Sequence, residues 1–307
     1  MLRTLTWLLI LTIFGAIGYD YVKNNVDIDA KIDEVAMLIE GAIQEEMPVT
    51  VEPSNSAVIP VDSATPEQVK DTVTSAQELA DATYYHVSRY NPQFTIHFKG
   101  DTSQLESIIQ QAYALIEERD PYIHGHLSDR NIEYTYTASR ATLNFNQKYL
   151  TTYEQERLVN GKVAAILETI DASTMTDVEK VKIVNDYIVQ HTVYSEATSA
   201  SPHSAYAILF EGKGVCQGYA LLAYKLLTEL GIEALYVTGE VYTGGHAWNL
   251  VKLDGNWHHL DTTWNDPLPD RGNGVSYDYF LITDSQMSKD HTWDLTKYPR
   301  ATTQMSF

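Results

Sequence analysis

The pair Asp254-Gly255 lies between two strand-like runs and constrains this chain more than any other two residues. Asp-Gly is a strong signal for a two-residue hairpin, because both central positions of the favoured turn need positive φ. The flanking runs, Gly245–Leu253 and Trp257–Thr263, together with Ala234–Tyr242 before them, are rich in Val, Tyr, Trp, Leu and Thr, as strands are. With 254 and 255 as the loop, Leu253 pairs with Asn256, Trp248 lies opposite Asp261, and His246 lies opposite Thr263. His246, Trp248, Asp261 and Thr263 then share one face of a sheet. Asp261 becomes the diagonal neighbour of His246 at roughly 7–8 Å between backbones, within reach of two side chains. A three-residue loop would turn Asp261 to the opposite face.

The chain has one cysteine, Cys216. It can form no disulfide within the chain, and a zinc site built on several thiolates is excluded. A lone cysteine is usually a small buried hydrophobe, so its surroundings must distinguish it. Cys216 follows the turn Gly212-Lys213-Gly214 and opens an apolar helix with Tyr219, Leu222, Leu226 and Leu230 as its buried stripe and Gly231 as its C-terminal stop. The Gly212–Gly214 turn lacks the spacing and the Lys-Ser/Thr pair of a phosphate loop. A thiol in the first turn of a helix lies near unsatisfied N–H groups and the positive end of the dipole. Both favour thiolate over thiol, and the same N–H groups can bind an oxyanion. An imidazole to take the thiol proton, and a carboxylate to hold that imidazole, complete a nucleophilic set. His246 and Asp261 are placed for those parts. Gly244-Gly245 before His246 leaves room for a substrate backbone.

Three runs carry a resemblance. They are Gly212-Lys213-Gly214-Val215-Cys216-Gln217-Gly218-Tyr219-Ala220, then Gly245-His246-Ala247-Trp248-Asn249, then His259-Leu260-Asp261-Thr262-Thr263-Trp264-Asn265-Asp266-Pro267. Together they resemble the transglutaminase-like superfamily, and its bacterial branch most. The resemblance covers about residues 176–285. It implies an α+β fold with a papain-like core, a catalytic helix packed on an antiparallel sheet. It also implies Cys216 as nucleophile, His246 as base and Asp261 as orienter. The family includes transglutaminases, peptidases, amidases and inactive members. Asp254, Asp266 and Asp270 are rival carboxylates that fall in the turn or past the strand. The papain-type glutamine before the nucleophile is missing, since Phe210 stands there, which leaves the second oxyanion donor unassigned, with Tyr206 and the Gln217 region as candidates. Trp248 and Trp264 are cleft walls or core. A metal site on His246, His258 and His259 is disfavoured, because adjacent strand residues point to opposite faces. No cofactor is implied, and no Asp-rich calcium loop is present.

Elsewhere the chain divides into four parts. Residues 1–19 read as a signal peptide or membrane anchor, with Arg3 ahead of a short apolar run from Leu5 to Ile17. The run is shorter than the ~20 residues a spanning helix prefers. Residues 20–65 read as an amphipathic helix and a Pro- and Ser-rich linker. Residues 66–150 read as a small α+β unit: helices at Pro66–Tyr85 and Thr102–Glu118, and strands at Phe94–Phe98, Ile132–Thr137 and Ala141–Phe145. Residues 151–307 hold the catalytic domain, led by helices at Thr152–Ile170 and Asp177–His191. The net charge of −20 argues against nucleic acid and anionic surfaces as partners. The expected protein is a thiol acyl-transfer enzyme outside the cytoplasm, secreted or membrane-anchored. Its expected substrate is a protein or peptide, attacked at a glutamine side-chain amide or a peptide bond. The alternative is a scaffold or peptide-binding protein that keeps the fold without turnover.

Overall fold

The structure, a computed structural model, describes residues 71–267 and 274–305. The segments read as signal or anchor and as helix and linker lie outside the described residues. Strands β1 (Thr72–Val73), β2 (Gln93–Lys99), β3 (Leu127–Thr137) and β4 (Arg140–Tyr149) form a sheet in the order β1-β2-β4-β3. Helices α1 (Ala76–Val87), α2 (Leu105–Arg119) and α3 (Pro121–His126) accompany it. Period-two burial in β2 and β4 sends Ile96, Phe98, Leu143 and Phe145 inward against Leu79, Val87 and Ile116 of the helices. The helix expected from Pro66 begins only at Ala76. Ser75 caps it by accepting from the Glu78 N–H, and the residues before the cap pair with β2 in parallel. The short α3 was not expected. It follows a local rule all the same, since Asp120 accepts from the Ile123 N–H and Pro121 fills the first turn.

Helices α4 (Tyr153–Glu168) and α5 (Asp177–His191) both open with capping boxes, Thr152 with Gln155 and Thr176 with Glu179. On α4, Glu156 is a buried carboxylate. It accepts from Tyr122 at 3.0 Å and Thr151 at 2.9 Å, and His126 Nε2 lies 2.9 Å away. Burial pushes its carboxyl up, but His126, Lys225 and Thr151 bring it below the usual range. After α5 come β5 (Val193–Tyr194), α6 (Ala205–Glu211), β6 (Lys213–Gly214) and α7 (Cys216–Glu229). β5 pairs with β6 in parallel, Tyr194 opposite Gly214, two residues before the cysteine.

The second sheet is antiparallel: β7 (Ala234–Val241), β8 (Gly244–Leu253), β9 (Asn256–Leu260), β10 (Phe280–Ile282) and, after α8 (Asp284–Met287), β11 (Thr292–Trp293). Its order is β10-β9-β8-β7-β11. Asp254 and Gly255 both have positive φ, 49° and 80°, and the ladder pairs Leu253 with Asn256 and Leu250 with His259, which is the expected register. The strand expected to reach Thr263 ends at Leu260. Asp261 begins a turn in which the Asn265 N–H donates to the Asp261 carbonyl at 3.0 Å. Helix α7 is nearly all apolar on its inner side, and it packs Tyr219, Leu222, Leu226 and Leu227 among α4, α5 and the sheet. Asn249 of β8 donates to the Ala220 carbonyl of α7 at 3.1 Å, tying helix to sheet. The protein is thus α+β with a helix laid on an antiparallel sheet. The described residues fall in one compact unit, Pro66–Phe307, and among them no helix is long and apolar enough to cross a membrane.

Gly214 sets how closely α7 can approach. A Cβ there would lie 2.4 Å from Ile208 Cδ1 and 2.8 Å from the Pro202 carbonyl oxygen. Gly214→Ala is expected to cost about 1–3 kcal/mol in urea unfolding, as overpacking does. It should also slow alkylation of Cys216 by shifting the start of the helix. Unchanged stability and unchanged thiol reactivity together would contradict this account.

Candidate active site

Cys216 occupies the first position of α7. The residue before it, Val215, is extended, with φ −119° and ψ 176°, and its side chain makes no capping bond. The first N–H groups of the helix therefore meet no side-chain acceptor from the cap, and they leave a positive end at a partly exposed thiol.

His246 comes from β8, paired with Gly239 of β7, and is 7% exposed. Its Nε2 donates to Asp261 Oδ2 at 2.7 Å. The Cys216 thiol hydrogen-bonds the same ring, so the imidazole spans thiol and carboxylate. Burial pulls the imidazole down. The hydrogen bonds and negative charges of Asp261 and Cys216 outweigh that and raise it to about 9. Asp261 is fully buried. Its Oδ1 accepts the backbone N–H groups of Thr263 at 3.0 Å and Trp264 at 3.1 Å, while its Oδ2 takes His246 and also His291 Nε2 at 3.2 Å. Burial pushes this carboxyl up, and the two histidines bring it below the usual range.

The structure thus brings together all three residues singled out from the sequence and adds a fourth. His291 was not found because it lies in a short loop before β11, outside any periodic stretch and 30 positions beyond Asp261. Tyr194 was also missed. Its hydroxyl takes a hydrogen bond from the Cys216 backbone. Burial, with the charges of Cys216, Glu196 and Asp261, pushes its phenol up against that bond. The sequence offered Tyr206 and the Gln217 region for this place. Gln217 Nε2 donates to the Gly125 carbonyl at 2.8 Å, and Tyr206 stacks on Phe210 at 4.8 Å.

Among the rival carboxylates, Asp254 lies in the hairpin, Asp266 accepts from Tyr219 at 2.7 Å, and Asp270 lies outside the described residues. Trp248 is core: it is fully buried and donates from Nε1 to His259 Nδ1 at 2.9 Å. Trp264 is half-buried and forms a wall, with ring centres 6.0 Å from His246, 4.4 Å from His291 and 6.3 Å from the exposed Tyr242. His258 and His259 pair with successive residues of β8 and so face opposite sides of the sheet. The cluster of His246, Asp261 and His291 has ligand atoms within 4.8 Å of one another. Both imidazole Nε2 atoms are already directed at Asp261, so an ion there would have to displace those hydrogen bonds.

Residues 164–262 match the model of the Transglutaminase-like superfamily. Kyphoscoliosis peptidase of Mus musculus is 30% identical over 155 residues, covering 42% of this chain and 23% of the relative. The same protein of Homo sapiens gives the same identity and coverage. The chain therefore spans less than a quarter of the curated relatives it matches. The crystal structure of a TGase aligns with 17% identity and a TM-score of 0.32, covering 58% of this chain and 56% of that one.

The site carries a pH signature. His246 is raised from 6.5 to about 9, so its pairing stabilises the fold fully below 6.5 and loses that contribution as pH climbs through 9. Asp261 is lowered from 3.8, so its share is present above 3.8 and is lost as pH falls further. The two shifts largely describe one interaction and are not summed. The stability gap between wild type and His246→Asn, followed by urea unfolding, should be largest between these limits. It should shrink by up to about 3 kcal/mol from pH 6 to pH 9.5. A gap constant with pH would refute the assignment.

Proposed function

We propose, on the premise that residues 164–262 match the Transglutaminase-like superfamily, that this chain is a cysteine-dependent acyl-transfer enzyme with Cys216 as nucleophile, His246 as base and Asp261 as orienter. The observation that carries this reading is the buried 2.7 Å pair of His246 and Asp261, with the Cys216 thiol hydrogen-bonded to the same ring. His246, its imidazole raised to about 9, takes the thiol proton. The sulfur then attacks a carbonyl carbon, either of a glutamine side-chain amide or of a peptide bond. Negative charge gathers on the carbonyl oxygen, and the proposed donors to it are the Cys216 backbone N–H, released from its bond to Tyr194, and the Tyr194 hydroxyl. His246 gives its proton to the departing nitrogen, the C–N bond breaks, and a thioester remains. Water or an amine resolves the thioester, with His246 taking the proton from the incoming nucleophile. Asp261 keeps the ring oriented throughout and stays ionised.

The substrate we propose is a protein or peptide. The related mouse and human proteins are named peptidases, which supports hydrolysis. We place the reaction outside the cytoplasm, secreted or anchored, on the strength of the apolar run behind Arg3. The net charge of −20 sets anionic polymers and nucleic acid aside.

Mass spectrometry of acyl-enzyme and products from a glutamine-peptide library, with and without added amine, tests the reading. Amine adducts mark a transglutaminase, shortened peptides a protease, and deamidation alone an amidase. Cys216→Ala should abolish every product, and His246→Ala should cut turnover by roughly 10³-fold or more. The reading fails if wild-type Cys216 alkylates at pH 6 no faster than the thiol of a small peptide and Cys216→Ala leaves all products unchanged. The chain would then be a fold-retaining scaffold.

A further inference from the structure

Behind the pair of His246 and Asp261 stands a second imidazole–carboxylate pair. His291 is fully buried, and its Nε2 lies 3.2 Å from Asp261 Oδ2 while its Nδ1 lies 2.6 Å from Asp290 Oδ1. Carboxylate oxygens only accept, so a ring facing two of them is satisfied at both nitrogens when it is doubly protonated. Asp290 is itself held from behind, since the Tyr279 hydroxyl donates to its Oδ2 at 2.6 Å. The ring cannot swing away. Its walls are Trp264 at 4.4 Å, Trp248 at 5.2 Å and Tyr279 at 5.5 Å between ring centres. The backbone is pinned as well, because the next residues pair with β7, Trp293 opposite Gly239, whose other neighbour is His246. That approach requires glycine, since a Cβ at 239 would lie 2.1 Å from the Thr292 carbonyl oxygen.

We propose that His291 is a positioning residue for the reaction at Cys216: braced by Asp290, it fixes the Asp261 carboxylate and occupies one of its acceptor directions. The inference rests on the acyl-transfer reading of the site. The titratable and charged groups facing this ring are Asp261, His246 and His259 from the sheet side and Asp290 and Tyr279 from the loops. Cys216 lies beyond His246. Asp261 therefore divides its Oδ2 between two imidazoles. Without His291 its full charge falls on His246, and the imidazole holds its proton to higher pH. Loss of the proton from the His246 imidazolium, seen as the basic limb of the rate profile, must then move upward.

The test uses the full chain and two readouts on each variant: kcat and KM against pH, and the pH dependence of Cys216 alkylation by iodoacetamide with the His246 ring followed by NMR. In His291→Phe we expect kcat to fall about 10–100-fold with KM changed less than 3-fold, and the His246 titration to rise by about one unit. His291→Gln returns an N–H to Asp261 without the ring's tie to Asp290, so it should recover most of kcat while keeping part of the upward shift. A merely structural role would not separate these two effects. Should His291→Phe fail to fold, Asp290→Ala serves instead. The ring then loses its partner at Nδ1 and its fixed hold on Asp261, and the same upward shift must appear. An unmoved His246 titration in the folded variants, or a kcat within 2-fold of wild type in His291→Phe, overturns the inference. If the wild-type thiol shows no ionisation at neutral pH, the acyl-transfer reading itself falls. If the wild type behaves as stated and the variants match it, only the role of His291 falls.

Discussion

A carboxylate with no exposed surface has to be surrounded by donors, and the half of the protein that holds the site is arranged around that requirement at Asp261. Removing such a charge from water costs several kcal/mol unless every lone-pair direction is filled. Four donors fill them here: two imidazoles, and two N–H groups of the following turn. This explains why β9 ends at Leu260. Had the strand run on, the N–H groups of Thr263 and Trp264 would have pointed along the ladder and away from Oδ1. The turn curls back instead, and Asn265 braces it. Its side chain donates to Asn185 of α5 at 2.8 Å and accepts the Tyr279 N–H at 3.0 Å. The orienter is thus held by the sheet, by a helix and by the loop that carries His291.

Legibility in the sequence followed the range of the physics. Local rules were read well. The Asp254-Gly255 turn set the register of β8 on β9, the helix expected over Asp177–His191 is α5, and Cys216 opened α7 as expected. The relation of His246 to Asp261 came from that register, although the contact is made at the strand end and not within a ladder. Long-range closure was not legible. His291 reaches Asp261 only because β11 adds to the far edge of the sheet beside β7, and nothing near residue 291 announces that pairing. Tyr194 was hidden for the same reason, since its place depends on a two-residue parallel bridge to Gly214. The half-and-half reading of Trp248 and Trp264 resolved by burial, the first into core and the second into a wall.

Helix α7 is fixed at several points besides the site. Gln217, beside Cys216, donates to the Gly125 carbonyl of α3, so the first turn of α7 is tied to the segment before β3. Further along, Lys225 lies over the Tyr122 ring at 4.3 Å, near the buried Glu156. Burial lowers this lysine, and the charges of Glu156, Glu229 and Asp120 work against that. Helix α3 therefore braces α7, with Tyr122, Ala220 and Leu221 sharing a buried cluster with Tyr236 and Ala247 of the second sheet. A cysteine gains nothing from a helix dipole if the helix can slide, and here hydrogen bonds to both neighbours prevent it.

Burial across the site is graded, and the gradient matters for the chemistry. Cys216 is partly exposed, His246 is 7% exposed and Asp261 has no exposure. In water, the attraction between an imidazolium and a carboxylate is heavily screened. Here His246 and Asp261 lie inside the same dry space, so the screening is weak and the pairing outweighs the desolvation of the ring. That is why the imidazole stands near 9 although burial alone would lower it. The thiol end of the pair is the end that still meets water. A substrate settling over Cys216 and against Trp264 would remove that remaining screen. On the proposed acyl-transfer reading, the pairing of His246 with Asp261 would strengthen at the moment the sulfur meets its carbonyl.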